Sequence, residues 1–318
     1  MADAVKEKQM ATRDAYGKAL VELGRQDERV VVLDADLAKS TRTEWFAAEF
    51  PDRFFDMGIA EQNMIGTAAG LALCGKIPFA SSFAVFATGR AWEQVRLTVA
   101  YARTNVKICA THGGLSVGED GPTHQALEDI ALMRVLPNMT VIVPADGVET
   151  WQATFAIAEY DGPCYMRLGR PKIPVIFSES YRFQIGRAAT LRDGADVAII
   201  ACGTMVHAAL QAADVLAADG LSARVVNMST IKPLDVETVI ACAEQCGAIV
   251  TAEEHNVYGG LGSAVAEAVA KHHPVPLELI GLQDTFGRSG TPEELFELYG
   301  LTPRHIADAC RRAVARKG

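Results

Sequence analysis

One carboxylate, Glu61, follows the run Phe54-Phe55-Asp56-Met57-Gly58-Ile59-Ala60 and precedes small and apolar residues at helical spacing up to Leu71. That pattern predicts a strand, a sharp turn and a buried helix, with Glu61 at the junction. A helix N-terminus favours the charge of such a group, whereas apolar neighbours disfavour it. Glu61 therefore reads either as a cap of the first helical turn or as a group tuned for proton transfer. A second concentration of reactive groups is the loop from His112 to Gln125, with two histidines, two acids and four glycines. Histidine beside an acid titrates near neutrality, and glycine lets backbone approach a ligand. By composition alone the loop also fits an ordinary surface turn.

Alternating strands and helices are needed to hold these groups together. A helix from Thr12, its candidate cap, to about Gly24 precedes the apolar strand Val30 to Asp34. A polar loop through Ser40 and Thr41 leads to a short helix that Pro51 ends, and the Glu61 unit follows. After a strand near 77–80, a loop carries Phe83 and Phe86 into a helix with Trp92 and Val95. Strands near 106–111, 140–143 and 164–166 and a helix near 148–159 complete a first block. Right-handed crossovers then give a mostly parallel sheet covered by helices, whose ligands collect at the carboxyl ends of the strands. The loops after Leu33, Met57, Ala80, Thr111 and Met166 all leave that edge. Residues 172–187 read as a linker, and strands near 197–201, 223–227 and 248–252 begin a second block. The expected fold is α/β with two consecutive domains, 1–185 and 186–318, each a mostly parallel sheet covered by helices. Gly259-Gly260-Leu261-Gly262 opens a helix, but its spacing is no dinucleotide fingerprint and Glu253-Glu254 would repel an anion, so close packing is expected there.

A net charge of -9 over 318 residues argues against nucleic acid or an anionic membrane as the main partner. No apolar run approaches the roughly 18 residues of a membrane helix. Met1 to Gln9 lacks the apolar core of a secretory leader. Seven cysteines, an odd number without dense pairing, point to a reducing cytoplasm. Cys242 and Cys246 share a helical face without completing a zinc set, and His272-His273 reads as a solvated helix end. No metal site is expected within this chain.

The wording of the two reactive segments is more specific than their composition. GIAEQ, then GEDGPTHQ, then LPNMTVIVPADG resembles the pyrimidine-binding half of transketolases, and residues from about 188 onward resemble that family's C-terminal domain. Transketolases use thiamine diphosphate and are related to deoxyxylulose-phosphate synthases and to the β subunits of 2-oxo acid dehydrogenases. The resemblance implies that Glu61 hydrogen-bonds the aminopyrimidine ring of the cofactor, that Phe83 and Phe86 pack on that ring, and that Asp36 lies near the thiazolium. It implies that Asp120 hydrogen-bonds a sugar hydroxyl and that His124 contacts substrate oxygens near the reacting carbon. Arg13, Ser40, His112 and Arg170 match the positions that bind the sugar-phosphate end, with His112 and His124 relaying protons. Arg167 fits either the phosphate or a structural ion pair. Ala60 and Gln62 flank the glutamate as in the synthases, and Gly89 replaces a common third ring-packing aromatic; His112 points back to transketolase.

Family members bind the diphosphate through Mg2+ with a Gly-Asp-Gly and a downstream Asn, and no Gly-Asp-Gly occurs here. The resemblance therefore implies a split enzyme. A separate N-terminal subunit carries the Mg2+–diphosphate domain, thiamine diphosphate lies at the interface, and two heterodimers pair as α2β2. The expected activity is transfer of a two-carbon ketol unit from a ketose phosphate to an aldose phosphate. The rivals are a synthase-like or dehydrogenase-β-like subunit and a non-catalytic partner of the α chain.

Overall fold

The computed structural model of the chain describes residues 8–317. The leader-free reading of Met1 to Gln9 thus falls mostly outside the described residues. The strands in chain order are β1 (Gln9–Ala11), β2 (Val30–Asp34), β3 (Phe54–Asp56), β4 (Ile77–Ser81), β5 (Lys107–Ala110), β6 (Thr140–Ile142), β7 (Cys164–Arg167) and β8 (Lys172–Pro174). There follow β9 (Ala189–Arg192), β10 (Val197–Ala201), β11 (Ala223–Asn227), β12 (Thr230–Lys232), β13 (Ile249–Asn256) and β14 (Leu277–Leu282). Unbroken apolar runs such as Val30-Val31-Val32-Leu33 and Val197-Ala198-Ile199-Ile200-Ala201 are buried throughout, as strands covered on both faces must be.

Seven strands form the first sheet in the order β12-β6-β7-β5-β4-β2-β3, parallel except for β12. Five form the second, β14-β13-β10-β11-β9, parallel except for β9. Two α/β units with mostly parallel sheets are thus present, and the turns after β2, β3, β4, β5 and β7 open on one edge of the first sheet.

Several local expectations are corrected. Thr12 begins the helix Thr12–Gln26 without capping it; its Oγ1 instead accepts the Gly169 N–H at 2.7 Å. Ser40 lies in a one-turn helix, Ala38–Thr41, rather than in a loop. Residues 172–187 are no free linker. Their first strand, β8, pairs antiparallel with β1, and the Asp146 carboxylate accepts the N–H groups of Ile176 and Phe177 at 2.7 Å each while also capping the helix Gly147–Glu159. Strand β12 leaves the second block to pair with β6, burying Ile231. Glu253, expected only to repel anions, itself caps the helix Leu261–His272 by accepting the Leu261 and Gly262 N–H groups at 2.8 Å. That occupies the donors a phosphate would need. Cys242 and Cys246 are buried free thiols, and among the described residues no helix is long and apolar enough to cross a membrane.

Candidate functional site

The site begins with two adjoining turns at the sheet edge. Asp34, at the end of β2, accepts from Leu37 N (2.6 Å), Thr41 Oγ1 (2.7 Å) and Thr43 Oγ1 (2.8 Å), and burial pushes its pKa up to about 6. These bonds fix the turn that presents Asp36 and Ser40. Asp56, at the end of β3, accepts the Asp36 N–H at 3.1 Å and the Gly58 N–H at 3.0 Å. The turn carrying Asp36 is therefore tied to the one that leads into Glu61.

Glu61 is the first residue of the helix Glu61–Leu73, is 1 % exposed, and does not cap it. Both carboxylate oxygens accept from Arg90 Nη1, at 3.0 and 2.9 Å. The Arg90 guanidinium lies 4.5 Å from the centroid of Phe86, within the π-helical segment Phe86–Arg90. π-Turns of this kind re-aim side chains and recur at functional sites. The rings of Phe83 and Phe86 are nearly parallel with centroids 6.0 Å apart, forming an apolar shelf that Arg90 links to the Glu61 carboxylate.

The histidine loop closes on the other side of the shelf. His112 stacks on Phe83 at 3.8 Å, and His124 stands edge-on to Phe83 and Phe86 at 6.0 and 5.5 Å. Burial, reinforced by Arg13, Arg170, His124 and Arg42, pulls the His112 pKa down to about 3. A neutral imidazole results, with Nδ1 bonded to Thr111 Oγ1 at 2.8 Å, and it can exchange a hydrogen bond without carrying charge. Arg13 Nη1 donates to the Ser40 carbonyl at 3.0 Å. Arg170 Nη1 donates to the Val117 carbonyl at 2.8 Å and lies 3.5 Å from Asp120 and 3.6 Å from Glu119. Those acidic partners are solvent-facing, so Arg170 can turn to a ligand. Arg167 cannot: it is buried, 2.9 Å from Asp129, with Nη2 donating to the carbonyls of Ala126 and Glu254. Of the two arginines, only Arg170 remains a candidate for a ligand.

All ten candidate residues thus belong to one sheet edge. Phe83, Phe86, His112 and His124 form a chain of ring contacts to which Arg90 links Glu61, Arg13 and Ser40 adjoin it with Arg170 and Asp120, and Asp36 joins through Asp56. The buried carboxylate linked to stacked rings fits the pyrimidine end of a thiamine cofactor. Among the described residues no cluster of three or more His, Cys, Asp or Glu is placed to hold a metal ion. Two further residues bear on the site: Arg90, which has no role in the sequence pattern, and Glu254, which enters it only as a charge repelling an anion. Arg90 follows Phe86 by four residues, one helical turn, which was the available signal. No local pattern ties Glu254 to the loop from His112 to Gln125.

Comparison with known proteins agrees along the chain. Residues 8–175 match the transketolase pyrimidine binding domain, and residues 186–306 the transketolase C-terminal domain. A putative transketolase C-terminal section of Methanocaldococcus jannaschii is 52 % identical over 298 residues, 93 % of each chain. A 6-deoxy-6-sulfo-D-fructose transketolase subunit of Clostridium sp. (strain MSTE9) is 45 % identical, over 96 % of this chain and 95 % of that one. The fold also matches a split-gene transketolase solved as an inactive beta4 tetramer, with a TM-score of 0.90, 53 % identity, and coverage of 98 % of this chain and 100 % of that one. Matched by both family domains and by relatives of its own length, the chain belongs to the transketolase family.

Proposed function

We propose that this chain is the C-terminal subunit of a split transketolase, moving a two-carbon ketol unit between sugars whose far ends carry an oxyanion. The observation that carries the proposal is the buried Glu61 carboxylate linked through Arg90 to the Phe83–Phe86 shelf, with neutral His112 stacked on that shelf and Arg13 and Arg170 close enough to His112 to act on its charge. Thiamine diphosphate, when bound, supplies the nucleophilic carbon that breaks and remakes the carbon–carbon bond. Glu61 would hold the pyrimidine ring by a hydrogen bond once Arg90 releases at least one of its oxygens. Phe83 and Phe86 would pack on the ring and exclude water. His124 would accept and return protons of substrate hydroxyls, whereas His112, held neutral, would only hydrogen-bond a substrate oxygen; Asp120 would orient a hydroxyl, and Arg13 and Arg170 with Ser40 would bind the terminal oxyanion. Asp36, tied through its N–H to Asp56, would lie toward the thiazolium end.

The diphosphate and its Mg2+ belong to a separate N-terminal subunit in this proposal, with α2β2 as the assembly. Its support is that similar chains of equal length are described as a C-terminal section, a subunit and a split-gene product, the last inactive as four β chains. The test is reconstitution with the candidate α chain, thiamine diphosphate and Mg2+, assayed with xylulose 5-phosphate plus ribose 5-phosphate and, in parallel, with 6-deoxy-6-sulfofructose as donor. Ketol transfer by the pair and not by either chain alone is expected. Glu61→Ala should lower kcat by at least about 100-fold, the scale of a lost proton-transfer group. Pyruvate decarboxylation in place of ketol transfer, or full activity of Glu61→Ala, would remove the proposal.

A further inference from the structure

The loop from His112 to Gln125 carries three of the proposed substrate groups and four glycines, a composition that by itself leaves a loop loose. Two of its anchors, Glu254 and the Arg288 carbonyl, come from the second block. Glu254, near the end of β13, reaches across the seam and accepts the Ser116 N–H with Oε2 at 2.9 Å, while Thr204 Oγ1 donates to Oε1 at 2.9 Å. Arg167 Nη2 spans the other side, donating to the carbonyls of Ala126 and Glu254 at 3.0 Å each. Gln125 Nε2 donates to the Arg288 carbonyl at 3.0 Å and to the Gly118 carbonyl at 3.2 Å.

Two of the glycines are explained by this clasp. A Cβ on Gly114, whose φ is +89°, would lie 2.4 Å from the Glu254 carboxyl, and a Cβ on Gly113 would lie 2.5 Å from Arg167 Nε. Only bare backbone lets both side chains close in. His112, one residue before this pair of glycines, is held against Phe83 with a φ of +58°, a left-handed conformation that an untethered histidine would leave.

We infer that Glu254 is a positioning residue: it fixes the Gly113–Ser116 segment and, through it, seats His112 on Phe83, so the second block sets the substrate wall of the first. The inference rests on the proposed role of this loop in substrate binding. The anchor is buried and hydrogen-bonded on both oxygens, and burial shifts its pKa upward. Arg13, Arg42, Arg170 and His124 face His112 from the surrounding elements, so a loosened ring would gain water and lose the burial that keeps it neutral.

The test uses the subunit alone and therefore stands whether or not ketol transfer is found. Amide exchange of Ser116 in the wild-type chain should be as slow as that of β13 residues such as Val250. In Glu254→Ala, the imidazole of His112, followed by NMR, should begin to titrate toward its ordinary 6.5 instead of staying neutral down to about 3. Glu254→Gln, which keeps an acceptor for Ser116 and a donor for Thr204, should restore the wild-type titration. Ser116 exchanging as fast as the exposed Thr123 overturns the inference, as does a His112 that stays neutral in a folded Glu254→Ala chain. Should Glu254→Ala not fold, Ser116 exchange in the wild type decides.

Discussion

His112 is the residue whose protonation the fold resists most openly. Its folded pKa lies near 3 against an ordinary 6.5, so on acidification the unfolded chain takes up the proton first. The stability this contributes is complete above about pH 6.5 and is lost toward pH 3, at about 1.4 kcal/mol per pH unit. His112→Gln should therefore lose stability less steeply than the wild type as pH falls through that window, measured by urea midpoints. Parallel curves would mean that the ring is solvated. Glu61, the two phenylalanines and the histidine loop were legible because each announces itself within a few neighbouring residues. Arg90 was not, since its pairing with Glu61 spans 29 positions and is made from a π-helical segment that ordinary helical spacing does not announce. Glu254 meets Ser116 across 138 positions, a distance no local pattern encodes.

Among the elements, β7 carries the most exacting position. Replacing Arg167 with Met would leave Asp129 buried without its cation and strand the Ala126 and Glu254 carbonyls. A loss of about 3–5 kcal/mol is expected, the scale for breaking one side of a buried pair. Chemical denaturation measures it, and a change below about 1 kcal/mol, typical of exposed pairs, would show that water reaches the site. Buried apolar strands and their helices were readable from period and run length. The short pieces β1, β8, β9 and β12 were not: each has three or four residues, too few to show alternation, and each is held by its partner rather than by propensity. The segment from 172 to 187 looked like a linker for the same reason. Its order comes from Asp146, whose carboxylate serves one helix and two distant N–H groups.

For the whole molecule, the two α/β units were legible but their mutual dependence was not. One buried apolar cluster runs from Val31 and Leu33 through Val141 and Ile231 to Ile200 and Ile249, crossing between the sheets. Polar ties follow the same seam: Asn227 Nδ2 donates to Glu149 at 2.8 Å, as Ser116 does to Glu254. Equilibrium unfolding should thus be one transition. All three tryptophans, Trp45, Trp92 and Trp151, lie in the first block, so their fluorescence should change at the same urea concentration as far-UV circular dichroism of the whole chain. Separated midpoints would show that the blocks melt independently. The strand β12 carries this dependence into heredity. A recombination event that exchanged one block for a relative's would hand β6 a foreign neighbour and Glu149 a foreign partner. Substitutions at Ile231 or Asn227 are then tolerated only when answered across the seam, and the two blocks are inherited as a single selectable unit.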